Sequence, residues 1–439
     1  YTTRRADEMS LFWWTYRHDF PEIVPYRITS DAGWGCMLRS AQMLLAQTLR
    51  VHYRGRDWSL PQSIAKRATD SFYKTILTWF ADFPSQAECR YSLHNMVAAG
   101  MSRYETLPGE WYGPGTACYV IRDLCQIHEQ HESQKSEPLS AETFSENKED
   151  SSDKGDIRRM FRVYVASQGS VYRDAVEDLM TKDSRKKIQA MSPLSSQTKN
   201  DTATAINNVT DDPLSHPLDP RFMEQEEKAP EPEWDTSCLL LIPLRLGLNS
   251  FNEAYTPALA HVFSFRQSVG VLGGRPRSAR WFYGAASNGK KWYGLDPHTV
   301  QNSPRRRKDK RGRVSVHMDE GYVRSVHCAS PATIFLHRSD PSLALGFYCR
   351  DRPDFEHLCQ SLKLWQNTHT DKQSMPDLFS IADAVPDYSA NVSSVMNEMM
   401  QSNLSLGDGG FDGDEDSFAV RADGDLQDDG SDEEEYVML

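Results

Sequence analysis

Between residues 37 and 49 the chain spells out one long apolar helix behind a glycine-rich turn, and any fold it adopts must bury that helix. Met37, Leu38, Ala41, Met43, Leu44, Leu45, Thr48 and Leu49 recur at helical spacing. Just before them stand Gly33, Trp34, Gly35 and Cys36, the two glycines permitting a tight turn with backbone angles that other residues avoid. Cys36 therefore lies near the first residue of the helix. Unpaired N–H groups and the positive end of the helix dipole converge there and favour a thiolate. The position suits a nucleophilic cysteine, and it also suits an ordinary buried one.

The rest of the chain alternates patterned and unpatterned stretches. Residues 1–128 read as a compact, helix-rich part carrying Cys36. Residues 129–156 are polar and low in complexity, an expected disordered insertion. Residues 157–182 hold an alternating strand, MFRVYVASQG, and a helix, SVYRDAVEDLM, and are expected to form an auxiliary subdomain. Periodicity is lost again over 183–232, an expected disordered linker. Residues 233–366 open on SCLLLIPLRLGL, an apolar run typical of a strand buried on both faces, and continue as strands with turns expected at Gly273-Gly274 and Asn288-Gly289. Residues 352–365 read as a closing helix, and 367–439 as a disordered tail. Helices first and an antiparallel sheet later make an α+β pattern.

The net charge of −13 belongs mostly to the tail, where residues 408–439 hold 13 acidic residues against Arg421 alone. Such a block is normally solvated. The nearly neutral body lacks the interleaved basic and aromatic residues of a nucleic-acid binder, so no nucleic-acid partner is expected. No run of 18 apolar residues and no signal-peptide pattern occurs, and a cytoplasmic protein is expected. Because the chain begins with Tyr1, it is expected to lack its natural start. The eight cysteines have neither metal-ligand nor disulfide-framework spacing, so neither a structural zinc nor any other cofactor is expected.

A cysteine nucleophile needs a base in hydrogen-bond reach, and the base needs a third group to orient it. Asp296 and His298 in WYGLDPHTV offer such a pair, because residues two apart on an extended chain share a face. The same Asp-Pro-His also reads as a strand-ending turn.

Six motifs in order, SDAGWGCMLRSAQMLLAQTL, YSLHNMVAAG, EWYGPGTACYVI, LLLIPLRLGLNSFNEAY, SVGVLGGRPRSARWFYG and YGLDPHTVQ, resemble the autophagins. These are papain-like cysteine proteases that process the ubiquitin-like modifiers of autophagy, and the similarity runs from about residue 9 to about 362. The resemblance implies a papain-like α+β fold. It implies Cys36 as nucleophile, His298 as base and Asp296 as the orienting carboxylate. It further implies Tyr16 as an oxyanion donor beside the Cys36 N–H, and Trp111 over the substrate's glycine. Gly273, Gly274, Arg275 and Pro276 match a loop that occludes the groove until substrate lifts it. Two departures stand out. Ser40 replaces a second cysteine that several members carry, and RSARWFYG, with Arg280, replaces a more usual NSAHYFIG and so removes a histidine near the groove.

At the C-terminus, Tyr436 and Leu439 behind Asp432 and three glutamates resemble the acidic aromatic-x-x-aliphatic motif that docks on autophagy modifiers by strand addition. Seven basic residues between Arg305 and Arg313 suit an import signal, an anionic-lipid contact or a solvated loop. The expected activity is cleavage of modifiers of the GABARAP/light-chain type after their C-terminal glycine, both in the precursor and in the conjugate with phosphatidylethanolamine. The conjugate would bring the enzyme to the autophagic membrane surface. Two rivals remain at this level: another Cys-His-Asp acyl-transfer enzyme of the transglutaminase type, and a non-catalytic module that holds modifier.

Overall fold

The computed structural model describes residues 7–134, 160–167, 169–181, 233–286, 289–328, 330–335, 339–368, 376–386 and 436–438. The first expected helix, α1 (Cys36–Arg54), is buried along almost its whole length, from Cys36 to His52. It packs on a sheet drawn from the second half of the chain: β5 (Cys238–Arg245), β6 (Ser268–Arg275), β7 (Ser278–Ala286), β8 (Lys291–Leu295), β12 (Ala332–Phe335) and β13 (Ser342–Cys349). Strand order is β12-β8-β7-β6-β13-β5-β3, where β3 is Arg162–Val165. All neighbours are antiparallel except β3, which runs parallel to β5. Helix and sheet approach closely where Gly346 of β13 meets Leu44: a Cβ on Gly346 would lie 3.0 Å from Leu44 Cδ1.

The apolar run of β5 is buried on both faces, as its sequence requires. Leu239 and Leu241 point into the core shared with α1, whereas Cys238, Leu240 and Ile242 point into a second core. Helices α2 (Leu93–Tyr104) and α3 (Pro114–Gln134) complete the first layer, with Val97, Val120 and Ile121 buried against α1 and the sheet. Helices α4 (Arg173–Met180), α5 (Thr256–Val262) and α6 (Arg352–Thr368) cover the opposite face through Val176, Leu259 and Phe355. Each fully buried side chain of this size contributes roughly 1.5–3 kcal/mol, so two cores on one sheet make the sheet the mechanical centre of the molecule.

A smaller sheet carries the site's first residue. Strand β1 (Tyr16–Ile23) pairs antiparallel with β2 (Ile28–Ser30) and parallel with β9 (Val300–Asn302), in a register that places Tyr16 opposite Val300. The Tyr16 N–H donates to the Pro297 carbonyl at 2.8 Å, which ties β1 to the Asp-Pro-His segment. The basic run forms the exposed hairpin β10 (Arg306–Lys308) and β11 (Val314–Val316). Arg306 holds it to the body through Glu88 at 3.0 Å and by lying 4.5 Å over the Phe83 ring.

Four expectations change. Helix α3 continues to Gln134, so the polar segment starts later than residue 129; its Glu129 and Glu132 pair with Arg162 and His128, giving polar residues a helical use that composition cannot reveal. The strand of the expected auxiliary subdomain is the terminal strand β3 of the main sheet, because period-two alternation says which faces a strand has and not which sheet it joins. Within the expected disordered tail, β14 (Ser380–Ala382) pairs parallel with β4 (Ser170–Tyr172), and Phe379 is buried beside it in the second core. Residues 436–438 form β15 against β7. Finally, Gly273-Gly274 is not the turn. Both glycines lie inside β6, and the hairpin reverses at Pro276-Arg277, between the paired residues Arg275 and Ser278. Asn288, residues 135–159 and 182–232, and the acidic run before Tyr436 lie outside the described residues.

Candidate active site

The turn before α1 is built around a buried carboxylate. Asp31 accepts from the Arg17 N–H at 2.6 Å and from Arg39 Nε at 2.7 Å, while Arg39 also reaches Asp82 at 2.9 Å. Gly33 takes φ +87°, and a Cβ on Gly35 would sit 2.4 Å from Asp31 Oδ2. Asp31, Gly33 and Gly35 are thus explained: the carboxylate packs where a side chain at 35 would otherwise stand. Gly35 caps α1 without a side-chain hydrogen bond, so the N–H groups of the first turn keep their donor capacity.

Cys36, fully buried, meets the end of β8 and the start of β7. Burial opposes its ionisation, but hydrogen bonds from His298, from the Ala279 N–H and from Tyr16, together with the imidazolium charge, hold the thiol below its usual value. In His298, burial is likewise overcome, here by hydrogen bonds to Asp296 and Cys36, and its pKa is pushed up to about 9. Asp296 Oδ1 accepts both from the His298 N–H at 2.9 Å and from Nδ1. Against the cost of burial, these two bonds and then the Arg280 charge keep that carboxyl well below the ordinary carboxylate range. The shifts of Cys36 and His298 both favour a thiolate beside an imidazolium, and Asp296 orients the imidazole.

Tyr16 stands edge-on to the imidazole, ring centroids 5.4 Å apart. Its buried hydroxyl faces the Cys36 thiol; burial first, then the neighbouring sulfur, raises its pKa. A hydroxyl donor is therefore aimed at the Cys36 sulfur. Trp13 Nε1 donates to the Asp296 carbonyl at 2.7 Å and fixes the same corner from outside.

The loop at the end of β6 closes over the base. Gly273 is buried in the strand, and Gly274 has φ +123° with its missing Cβ only 2.4 Å from the Ser278 carbonyl oxygen. Arg275 and Pro276 are exposed at the tip. The tip residue Arg277 adopts φ +61°, and its carbonyl accepts from His298 Nε2 at 3.0 Å. Trp111 is over one-third exposed and lines a cleft of about 780 Å³ with Pro114, Pro243, Leu244, Tyr255 and Leu343; Cys36, Asp296 and His298 are not among its lining residues. Tyr436 lies in β15, where the backbone of residues 436–438 pairs with Ala286, Ala285 and Gly284, and Leu439 lies outside the described residues. Sequence reasoning missed Arg277 and the Ala279 N–H, for which no local pattern exists. It noted Arg280 only as a missing histidine.

A cysteine at a helix N-terminus, activated by a histidine–aspartate pair carried on a facing sheet, is the constellation of a papain-like thiol hydrolase. Residues 2–361 match the peptidase C54 catalytic domain. The chain is 31% identical over 415 residues to cysteine protease ATG4B of Xenopus laevis, covering 94% of this chain and 88% of the relative. It is equally 31% identical over 358 residues to human cysteine protease ATG4A, covering 81% and 72% respectively. The chain belongs to the peptidase C54 family, the autophagins, which are cysteine proteases of autophagy.

Proposed function

We propose that this protease cleaves ubiquitin-like autophagy modifiers of the GABARAP/light-chain type after their C-terminal glycine, acting both on precursors and on modifier joined to phosphatidylethanolamine. The observation that carries the reading is Cys36 at the head of α1 beside His298, whose ring Asp296 holds through Nδ1, with the Tyr16 hydroxyl facing the sulfur. Cys36 as thiolate attacks the glycine carbonyl. The oxyanion is received by the Cys36 N–H, free at the head of α1, and by Tyr16. His298 gives its proton to the departing amine, whether that belongs to a peptide or to the lipid headgroup, and leaves an acyl thioester. Water, deprotonated by His298, then releases the free glycine carboxylate and restores the thiolate. One chemistry serves both substrates, which differ only in the amine that leaves.

For substrate to enter, the Arg277 carbonyl must leave His298 Nε2, so the tip 275–277 acts as the occluding loop. Trp111 walls the path of the glycine, where a flat indole excludes side chains. The C-terminal segment with Tyr436 and Leu439 adds a strand to the modifier. The reaction uses no metal or organic cofactor and takes place in the cytoplasm, at the surface of the autophagic membrane when the substrate is lipidated. Among the described residues no helix is long and apolar enough to cross a membrane. The test is cleavage of a modifier precursor bearing a C-terminal reporter by wild type, Cys36→Ala and Cys36→Ser. Turnover in the wild type alone supports the reading; equal turnover in all three, or reporter release only by added amine, replaces it.

A further inference from the structure

The register of β7 on β8 pairs Trp281 with Leu295 and so brings Arg280 opposite Asp296. Its Nε and Nη2 both donate to Asp296 Oδ2, at 2.9 and 2.6 Å. Nη1 is held in turn by Ser278 Oγ at 3.1 Å, so the guanidinium is anchored at both ends. Since Oδ1 takes the two His298 donors, each oxygen of the carboxylate has two donors and its plane is fixed. Both side chains are mostly buried, with 20% and 29% of their surface exposed.

We propose that Arg280 is the positioning residue of this site: it sets the plane of the Asp296 carboxylate and limits how strongly that carboxylate stabilises the His298 imidazolium. The inference rests on the assignment of Cys36, His298 and Asp296 made above. A carboxylate alone would hold the imidazolium so tightly that His298 would release its proton reluctantly to the leaving amine. A fixed cation on the far oxygen withdraws part of that attraction without disturbing the bond to Nδ1. A histidine at position 280 could donate a single hydrogen bond and would carry charge only while protonated, whereas arginine keeps both donors and its charge at every working pH.

The charges that bear on this corner are few. Arg280 comes from β7, Cys36 from α1, Tyr16 from β1 and His298 from the segment after β8; Cys328 lies near Asp296, and Asp31 acts on Tyr16. The turn between β6 and β7 brings the Arg277 carbonyl to His298 Nε2 and exposes the Arg275 and Arg277 side chains at its tip. Arg280 is the cation bonded directly to Asp296, so its removal has a defined sign. Without it the imidazolium is more stable and loses its proton at higher pH.

The experiment compares wild type, Arg280→Gln and Arg280→Lys in two assays run from pH 5 to 10. The first is kcat/KM for precursor cleavage. The second is the rate of Cys36 alkylation by iodoacetamide, located by peptide mass, which needs no modifier. The expected result is an upward shift of the alkaline limb by about half to one pH unit in Arg280→Gln and none in Arg280→Lys, which keeps the charge. In Arg280→Lys the lost fork lowers kcat by roughly 3–10-fold at unchanged KM. Unmoved limbs in Arg280→Gln in both assays overturn the proposal even if activity falls. Should Arg280→Gln fail to fold, a loss in Arg280→Lys confined to KM overturns it. If alkylation shifts as expected and no modifier is cleaved, the substrate assignment fails while the role of Arg280 stands.

Discussion

Gly35 and Tyr16 show how little freedom single positions have around the sulfur. A methyl group at 35 would lie 2.4 Å from Asp31 Oδ2, and Asp31 is pinned by Arg17 and Arg39. Gly35→Ala therefore displaces the turn, with a loss of about 1–3 kcal/mol in chemical denaturation and of most activity. Tyr16→Phe keeps the ring beside the imidazole and removes only the donor. Its kcat is expected to fall by roughly 10²-fold with KM little changed, measured on the reporter precursor. Titration follows from the same residues. Because the thiol ionises below its usual value and His298 keeps its proton up to about 9, kcat/KM is flat between those limits and falls as pH rises through about 9. Stability moves with the same sign. The share due to His298 is fully present below its ordinary 6.5 and lost as pH rises through about 9, whereas that of Asp296 is lost only on acidification below its ordinary 3.8.

At the scale of elements, the buried Arg39 joins α1 to two separate segments through Asp31 and Asp82. Arg39→Ala leaves two buried carboxylates without their cation. The expected cost is about 3–5 kcal/mol, read as a lower Tm, and pairing lost at both aspartates rather than one should make Asp82→Asn milder. These elements also show what a one-dimensional pattern can carry. The helix behind Cys36, the doubly buried β5 and the pairing of Asp296 with His298 are legible, since each depends on neighbours within one period of helix or strand. Arg280 and Asp296 are 16 residues apart and meet only through strand register, which no local spacing encodes. The Gly273-Gly274 pair misleads for another reason. Glycine marks positive φ or close backbone approach, and Gly274 needs both inside a strand, while the reversal falls on Pro276-Arg277. Trp111, in an aromatic-rich segment, reads as core from pattern alone, yet it is over one-third exposed; only the resemblance singled it out.

For the molecule as a whole, the sheet is assembled from strands separated by long polar segments, with β3 seated from beyond the first of them. Its edges therefore depend on parts of the chain distant in sequence, and β15 is the extreme case. Residues 436–438 lie antiparallel to Gly284–Ala286 of β7, so the backbone that would extend a modifier's sheet already extends the chain's own. A ligand that occupies itself is a tethered competitor. Its apparent dissociation constant for an outside partner is the intrinsic one divided by the fraction unpaired, so pairing for about nine-tenths of the time weakens it about tenfold. A peptide of residues 428–439 should accordingly bind modifier more tightly than the same segment within full-length Cys36→Ala, by calorimetry; equal affinities would mean that the pairing with β7 has no weight. On the proposed docking role, the segment at 436–438 is a buffered ligand, so that capture grows strong where modifier is crowded and stays weak where it is dilute.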